Sequence, residues 1–165
     1  QDRHTPQTLA RAVPEGAVPW GRSVEANDAE RDAYIQVGPF HTGRSGAADW
    51  LPRAPVAVTK ALLERGRERF DIHCAVCHGA TGSGRTILTE QGLPPPTSLY
   101  DARIVALPDG KIFDIIRHGV RNMAPYGKVL SPEDRWAVVA WVRVLQAAQN
   151  GRIQDLPANQ RGTLP

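Results

Sequence analysis

The chain has 165 residues, of which 20 are Lys or Arg and 17 are Asp or Glu, with a formal net charge of +3. This length allows one domain with extensions, and a small net charge without any block of like charges gives no case for nucleic-acid binding. No apolar run approaches the ~20 residues of a membrane-spanning helix. Gln1 begins a polar segment without a signal-peptide core, so we expect any export signal to have been removed or to lie outside this numbering.

Residues 1–55 are predicted to form a long extended arm rich in Pro and Gly. This segment has six prolines and no sustained helical or strand period, and its charges nearly cancel. An extended segment with isolated apolar anchors suits binding across another protein, although a disordered leader is the alternative. We therefore expect a docking arm. Its candidate anchors are Trp20, Tyr34, Ile35, Phe40, Trp50 and Leu51.

From Pro55 the pattern changes to that of a helix, which leads directly into the cysteines. Thr59, Leu62, Leu63, Gly66 and Phe70 fall on one face at helical spacing, and charged residues cover the other face. A glycine within a helix costs about 1 kcal/mol relative to alanine. Because Gly66 lies on the apolar face, we expect another helix to approach closely there.

The sequence Cys74-Ala75-Val76-Cys77-His78 contains both cysteines of the chain. This spacing is the attachment signature of c-type haem. On one helical turn, Cys74 and Cys77 can form thioethers with the two vinyl groups of one porphyrin, and His78 is placed as the proximal iron ligand. We therefore predict one covalently attached haem c, and we infer export because bacterial c-type attachment takes place outside the cytoplasm.

Three other interpretations of the two cysteines are weaker. A zinc site needs four ligands, and no second Cys or His pair at similar spacing is present. A thioredoxin-like redox pair lies beside a βαβ pattern, which this sequence does not show. A structural disulfide between Cys74 and Cys77 leaves His78 without a role.

Two turn-rich loops follow the motif, at residues 79–84 and 92–97. The first is glycine-rich but lacks the preceding strand of a phosphate-binding loop, so it is better explained as backbone that passes close to the porphyrin edge. The second contains three successive prolines. A prolyl carbonyl there is a candidate acceptor for the second ring nitrogen of His78.

A short helix is predicted from Asp109 to His118, with Gly119 as its C-terminal stop. The loop that follows holds Met123, the single methionine of the chain. A six-coordinate electron-transfer haem needs a ligand opposite the histidine, and a thioether raises the reduction potential. Met123 is our predicted axial ligand, with His118 as the alternative. His73 shares a turn with His78 and cannot reach the far face.

The last helix is predicted to begin with Ser131 as its N-cap and Pro132 at its first position. Asn150-Gly151 ends it, and residues 150–165 form a polar tail. Trp141 is the predicted partner of the bare backbone at Gly66, and His4 and His41 are expected at the surface. The predicted buried stripe consists of Ala137, Ala140, Trp141, Val144, Leu145 and Ala148.

Residues 56–149 resemble the class I cytochrome c family. The resemblance rests on Gly66 and Phe70 before the CxxCH motif, on the methionine loop and on a closing helix bearing an aromatic residue. It implies an all-α fold of three to five short helices around one covalent haem. Arg85, Tyr100, Tyr126 and Trp136 are candidate partners of the haem propionates, by side-chain type and position.

A closer resemblance is to the monohaem cytochrome subunit of bacterial alternative complex III. It is carried by residues 55–59, 63–72 and 93–96, by Asn122-Met123, by residues 131–143, and by the long arm ahead of the haem domain. The resemblance implies a periplasmic electron carrier on a membrane-bound quinol-oxidising respiratory or photosynthetic complex. It would pass electrons to a mobile cytochrome, a copper protein or a terminal oxidase.

In this interpretation the chain is not itself an enzyme, because quinol oxidation belongs to partner subunits that residues 1–55 contact. Members of that family are often lipid-anchored through an N-terminal cysteine, which this sequence lacks. Either the numbering omits the anchor or attachment relies on the arm. The alternatives are a freely diffusing cytochrome c, a cytochrome subunit of a dehydrogenase, and a gas-binding haem protein with an open or His118-bound sixth site.

Overall fold

The computed structural model describes residues 38–46 and 48–152, so the expectations for residues 1–37 and 153–165 lie outside it. The described chain is helical and contains isolated bridges but no strand, which confirms the predicted all-α class. None of its helices has the length and apolar character needed to cross a membrane. The helices are α1 (Pro39–Thr42), α2 (Lys60–His73), α3 (Ala75–His78), α4 (Ile87–Glu90), α5 (Ala102–Val105), α6 (Asp109–His118) and α7 (Pro132–Asn150).

The end of α6 and the start of α7 lie where local sequence signals predict, whereas α2 begins at Lys60 and not at the expected Pro55. The Thr59 hydroxyl accepts a hydrogen bond from the Leu62 amide and starts α2. The Ser131 hydroxyl accepts one from the Asp134 amide, and Pro132 occupies the first turn of α7. Gly119 ends α6 with φ of 77°, and its amide donates to the Ile115 carbonyl. These caps satisfy backbone groups at the helix ends that have no partner within the helix.

Helices α2 and α7 meet at the bare backbone of Gly66. A Cβ atom on Gly66 would lie 2.1 Å from the carbonyl oxygen of Ala137 and 3.1 Å from the Cβ of Trp141. Cβ atoms do not approach another heavy atom as closely as 2.1 Å. The Ala137 carbonyl belongs to the backbone, so it cannot rotate away. The prediction that Gly66 marks a close helix approach, with Trp141 beside it, is confirmed.

We expect Gly66→Ala to destabilise the protein by roughly 2 kcal/mol or more, because the cost of overpacking a tight contact exceeds the gain in helix propensity. Chemical denaturation of the haem-loaded protein measures this loss. Gly46→Ala is the control, since nothing lies within 4 Å of the added methyl group. Equal stability of the two variants would contradict the tight packing of α2 on α7.

Helix α7 is the centre of the core and is covered on more than one side. Trp136, Val138 and Val139 are fully buried, in addition to Ala137, Ala140 and Leu145 of the predicted stripe. The Trp136 ring stacks on Phe113 of α6 with 4.2 Å between ring centroids. The predicted stripe is thus partly wrong: Ala148 is exposed and Trp141 and Val144 are half-buried. It also missed buried residues, because a helix enclosed by several elements buries more than one face.

Residues 38–46 and 48–54, which we call the strap, pack against α6 and α7. Phe40, Leu51 and Ala54 lie against the buried core, and the Phe40 carbonyl accepts a 2.7 Å hydrogen bond from Trp136 Nε1. Trp50 lies under the guanidinium of Arg44, with Lys111 of α6 also within 4.5 Å of its ring centroid. The compact unit therefore begins at Gly38, whereas the sequence led us to assign residues up to 55 to a docking arm.

A polar cluster ties the strap and the 99–107 segment to α7. Asp109 accepts from the Ala54 amide at 2.8 Å and from Arg143 Nε at 2.7 Å. Arg143 also donates to the carbonyls of Val105 and Leu107, and Gln146 donates to the Leu99 carbonyl. Asp109 and Gln146 are buried, and their mutual satisfaction removes the cost of burying unpaired polar groups.

Candidate haem site

The two cysteines and His78 lie on a single helical turn. Cys74 ends α2, where its amide donates to the Phe70 carbonyl at 2.8 Å, and its own carbonyl accepts from the amides of Cys77 and His78. This arrangement places the two thiols and the imidazole within one helical turn, as the CxxCH sequence predicts. Both thiols are half-buried and free, not joined in a disulfide.

The electrostatics of Cys74 argue against a redox-active thiol pair. Burial, together with the negative charge of a Cys77 thiolate, raises the pKa of Cys74 to about 12. Reactive cysteines of the CxxC type have a lowered pKa, because the thiolate is the nucleophile.

A zinc site needs a group of His, Cys, Asp or Glu side chains around the metal. Among residues 38–46 and 48–152, no three such side chains form a group that could hold a metal ion.

His78 presents a neutral imidazole from the end of α3. Burial lowers its pKa, and a metal ligand must be unprotonated at the binding nitrogen. Its Nδ1 atom is buried without a hydrogen-bond partner, so the predicted bond to a prolyl carbonyl is absent from the part of the chain that the structure describes. A buried nitrogen without a hydrogen-bond partner is costly, and a metal bound at the other ring nitrogen would not remove that cost at Nδ1.

The glycine-rich loop after His78 is fixed against the proline loop. The Gly84 amide donates to the His78 carbonyl at 2.7 Å, and the Leu99 amide donates to the Gly82 carbonyl at 2.8 Å. Gly84 has φ of 78°, and a Cβ there would lie 2.5 Å from the Pro96 carbonyl oxygen. The glycines therefore allow a close approach of two loops that holds the backbone of His78.

The methionine loop folds back on itself directly after α6. Val120 and Met123 exchange two backbone hydrogen bonds of 3.1 and 2.9 Å. Gly119 permits this turn, because a Cβ on it would lie 2.4 Å from the Met123 carbonyl oxygen. Arg121 within the turn has φ of 51°, the one non-glycine residue with positive φ in the described segments. Such a strained residue persists where the surrounding structure fixes the turn.

The structure places one predicted attachment residue, Cys74, and the predicted ligand Met123 against one hydrophobic core. Cys74 and Met123 are both half-buried and pack against the same buried cluster. Tyr126 also packs there, and its ring lies edge-on to His73 with 6.3 Å between centroids. Burial raises the pKa of Tyr126, with added contributions from the charges of Cys74 and Cys77. The methionine loop thus lies beside the cysteine turn, although the two are far apart in sequence.

The remaining candidate residues have other roles or positions. His118 Nδ1 lies 2.8 Å from a carboxylate oxygen of Asp114 on its own helix, an arrangement that orients the ring along α6. Trp136 donates its indole N–H to Phe40 and is fully buried, so it is not a propionate partner. His41, expected at the surface, is half-buried with its ring edge-on to Phe40. His4 lies outside the described residues.

This donor set fits haem c. Two free thiols on one turn, a half-buried imidazole whose pKa is lowered by burial, and a thioether against the same core as Cys74 are the groups that a covalent six-coordinate haem requires. An apolar side chain is exposed on each of the two segments: Val76 on the cysteine turn is 54% exposed and Val120 on the methionine loop is 47% exposed.

The packing of the strap and the Asp109–Arg143 cluster could not be predicted from the sequence, because the residues that contact each other are distant in the chain.

Comparison with known proteins found one matching family and a similar solved structure. Residues 61–142 match the family model described as cytochrome C oxidase, cbb3-type, subunit III. No curated protein matches the chain. Among solved structures, the chain is similar to one from the Kuenenia stuttgartiensis reducing HAO-like protein complex, with 28% identity and a TM-score of 0.46. That match covers 59% of this chain and spans only 48% of the other.

The matched residues include the CxxCH turn, the methionine loop and the first part of α7, which are the elements that form the site. The helical fold therefore agrees with the predicted class I cytochrome c fold. Haem c and electron transfer are what such a domain implies. Residues 61–142, just under half of the chain, are therefore similar to the family described as cytochrome C oxidase, cbb3-type, subunit III.

Proposed function

We propose that this chain is a monohaem electron-transfer subunit of a membrane-bound quinol-oxidising complex of the alternative complex III type. The observation that carries the electron-transfer proposal is the single turn at residues 74–78, which lies against the same core as Met123. Cys74 and Cys77 would hold one haem c, and His78 and Met123 would be its axial ligands. When bound, this group exchanges a single electron with a partner protein.

The protein's own contribution is positioning and control of water. The backbone of His78 is held by Gly84, and that of Met123 by the Val120 turn, so both ligands have fixed orientations before any electron arrives. Phe70, Phe113 and Ile116 form an apolar core around the site. A dry, pre-formed site with a thioether ligand favours a high reduction potential and rapid exchange.

We assign docking to the complex to the N-terminal part of the arm, residues 1–37. Phe40 and Leu51, two of the predicted anchors, pack against the chain's own core. Trp20, Tyr34 and Ile35 are the anchors that remain for a partner protein. We further propose that the domain lies on the periplasmic side of the bacterial cytoplasmic membrane and passes electrons to a mobile carrier or a terminal oxidase.

The docking proposal predicts the behaviour of a chain that lacks residues 1–37. We expect this variant to keep the absorption spectrum and reduction potential of the full chain, because the compact unit begins at Gly38. It should no longer co-purify with the membrane subunits that accompany the full chain. Affinity purification from solubilised membranes, with haem quantified for each subunit, measures both properties.

Three outcomes would contradict the proposal in different ways. Stoichiometric co-purification of the truncated chain would remove the docking role from the arm. A full-length chain found without partner subunits and without detergent would point to a freely diffusing carrier or to a dehydrogenase cytochrome. A change in haem spectrum on truncation would show that residues 1–37 contribute to the site itself.

A further inference from the structure

The strap is joined to α6 by contacts between bare backbones. A Cβ on Gly43 would lie 2.6 Å from the Gly110 carbonyl oxygen, and one on Gly110 would lie 1.9 Å from that of Gly43. The Leu51 amide donates to the Gly43 carbonyl, and the Gly110 amide donates to the Leu51 carbonyl, both at 2.9 Å. The first turn of α6 is therefore packed directly onto the strap.

The strap also reaches the last turn of α6. The His41 carbonyl accepts a hydrogen bond from Arg117 Nη1 at 3.4 Å, and the adjacent Phe40 carbonyl accepts the 2.7 Å bond from Trp136 of α7. One short segment thus contacts both ends of α6 and links it to α7. The apolar side chains of Phe40 and Leu51 cover the core between these points.

The last turn of α6 in turn holds the end of the methionine loop. The Tyr126 amide donates to the Ile116 carbonyl at 2.9 Å, and the Gly127 amide donates to the Arg117 carbonyl at 3.0 Å. A Cβ on Gly127 would lie 2.8 Å from that same Arg117 oxygen. The loop that carries Met123 is therefore hydrogen-bonded to Ile116 and Arg117, at the end of α6 that the strap contacts.

We propose that the strap is a positioning element for Met123, acting through α6, and not a passive extension of the domain. While the strap is packed, Ile116 and Arg117 stay in place and the methionine loop remains closed. When the strap separates, the loop loses its support and Met123 leaves its ligand position more often. This inference rests on the proposed axial role of Met123, and its predicted effect is on ligation, whereas covalent haem attachment at Cys74 and Cys77 is unaffected.

The test uses Gly43→Ala in the full haem-loaded chain. Alanine at φ of 72° is strained, and its methyl group would collide with Gly110. We expect this strain to raise the population of the separated state about tenfold, which corresponds to about 1.4 kcal/mol. We expect amide hydrogen exchange to accelerate about tenfold at Tyr126 and Gly127 as well as at Leu51 and Gly110, with unchanged exchange at Cys74 and His78. Carbon monoxide binding to the reduced protein should accelerate by a similar factor.

Two control variants separate this effect from loss of overall stability. Gly46→Ala changes the same segment where nothing lies within 4 Å, and it should leave exchange and carbon monoxide binding unchanged. Leu145→Ala opens a cavity in the core of α7, and by promoting global unfolding it should accelerate exchange at Cys74 and His78 as well. Localised acceleration in Gly43→Ala, unlike the general acceleration in Leu145→Ala, supports the proposal.

Trp136→Phe provides a second perturbation if Gly43→Ala does not fold. It removes the donor to Phe40 while keeping an aromatic ring against Phe113. Because it also leaves a core cavity, we expect some general acceleration, with a larger acceleration at Leu51, Gly110, Tyr126 and Gly127 than at Cys74 and His78. Faster exchange at Leu51 and Gly110 with unchanged Tyr126 and Gly127 would overturn the proposal. A wild-type ferric protein without the thioether-to-iron charge-transfer band would instead overturn the ligation on which it rests, and with it the proposed function of Met123.

Discussion

Met123→Ala is expected to lower the reduction potential of the bound haem by at least roughly 0.1 V, within the ~0.8 V range over which axial ligands tune haem proteins. The thioether stabilises the reduced iron, and alanine leaves that position to water or to no ligand. The reduced variant should bind carbon monoxide rapidly, whereas the wild type should not. Redox titration and stopped-flow spectroscopy measure these two changes.

Met123→His is the matched control, because an imidazole lowers the potential while filling the sixth position. It should therefore share the shift of Met123→Ala but not the sensitivity to carbon monoxide. His118→Gln tests the alternative ligand and should change neither property, since His118 is oriented by Asp114 on its own helix. An unchanged potential in Met123→Ala, with a large shift in His118→Gln, would transfer the axial role to His118.

Replacing both Cys74 and Cys77 by serine is expected to abolish covalent haem attachment. Extraction with acidified acetone should then remove all haem, and the remaining protein should give no alkaline pyridine haemochrome. Stability should also fall by about 4 kcal/mol or more, the contribution of a ligand present at roughly a thousand times its dissociation constant. Denaturant titration and mass spectrometry of the chain measure both losses.

The single variants and a neighbouring change provide the controls for the cysteines. Cys74→Ser and Cys77→Ser should each keep one thioether and show a haemochrome shifted between those of c-type and b-type haem. Val76→Ser adds a hydroxyl on the same turn at an exposed position and should leave attachment intact. Retention of haem by the double variant through acid extraction would remove these cysteines from the proposed site.

Local features of the site were predictable from the sequence because they depend on spacing and capping. The CxxCH motif fits within one helical turn. The end of α6 needs a residue that tolerates positive φ, which Gly119 supplies, and the start of α7 needs a side-chain acceptor, which Ser131 supplies. Gly66 was informative for a different reason. A glycine on an apolar helix face is costly unless a neighbour requires it, and the structure places the Ala137 carbonyl at that position.

Long-range pairings of polar groups left no such pattern. Trp136 donates to a carbonyl 96 residues away, and Asp109 accepts from an amide 55 residues away. Neither partner is marked by periodicity or by residue type, so the strap was interpreted as part of an extended arm. Trp136 was likewise considered for the propionates, because sequence alone shows an indole N–H but not the backbone carbonyl that uses it.

The close contact of Gly66 with Ala137 has a consequence for how the chain matures. The two residues lie on either side of the haem-binding sequence, so α2 cannot close onto α7 until nearly the whole domain has been synthesised. A chain that emerges amino terminus first therefore presents its cysteines to the attachment machinery while they are still accessible. Pairings between distant segments form slowly, which extends that interval. The topology thus leaves an interval in which the proposed haem could be attached before the two helices close.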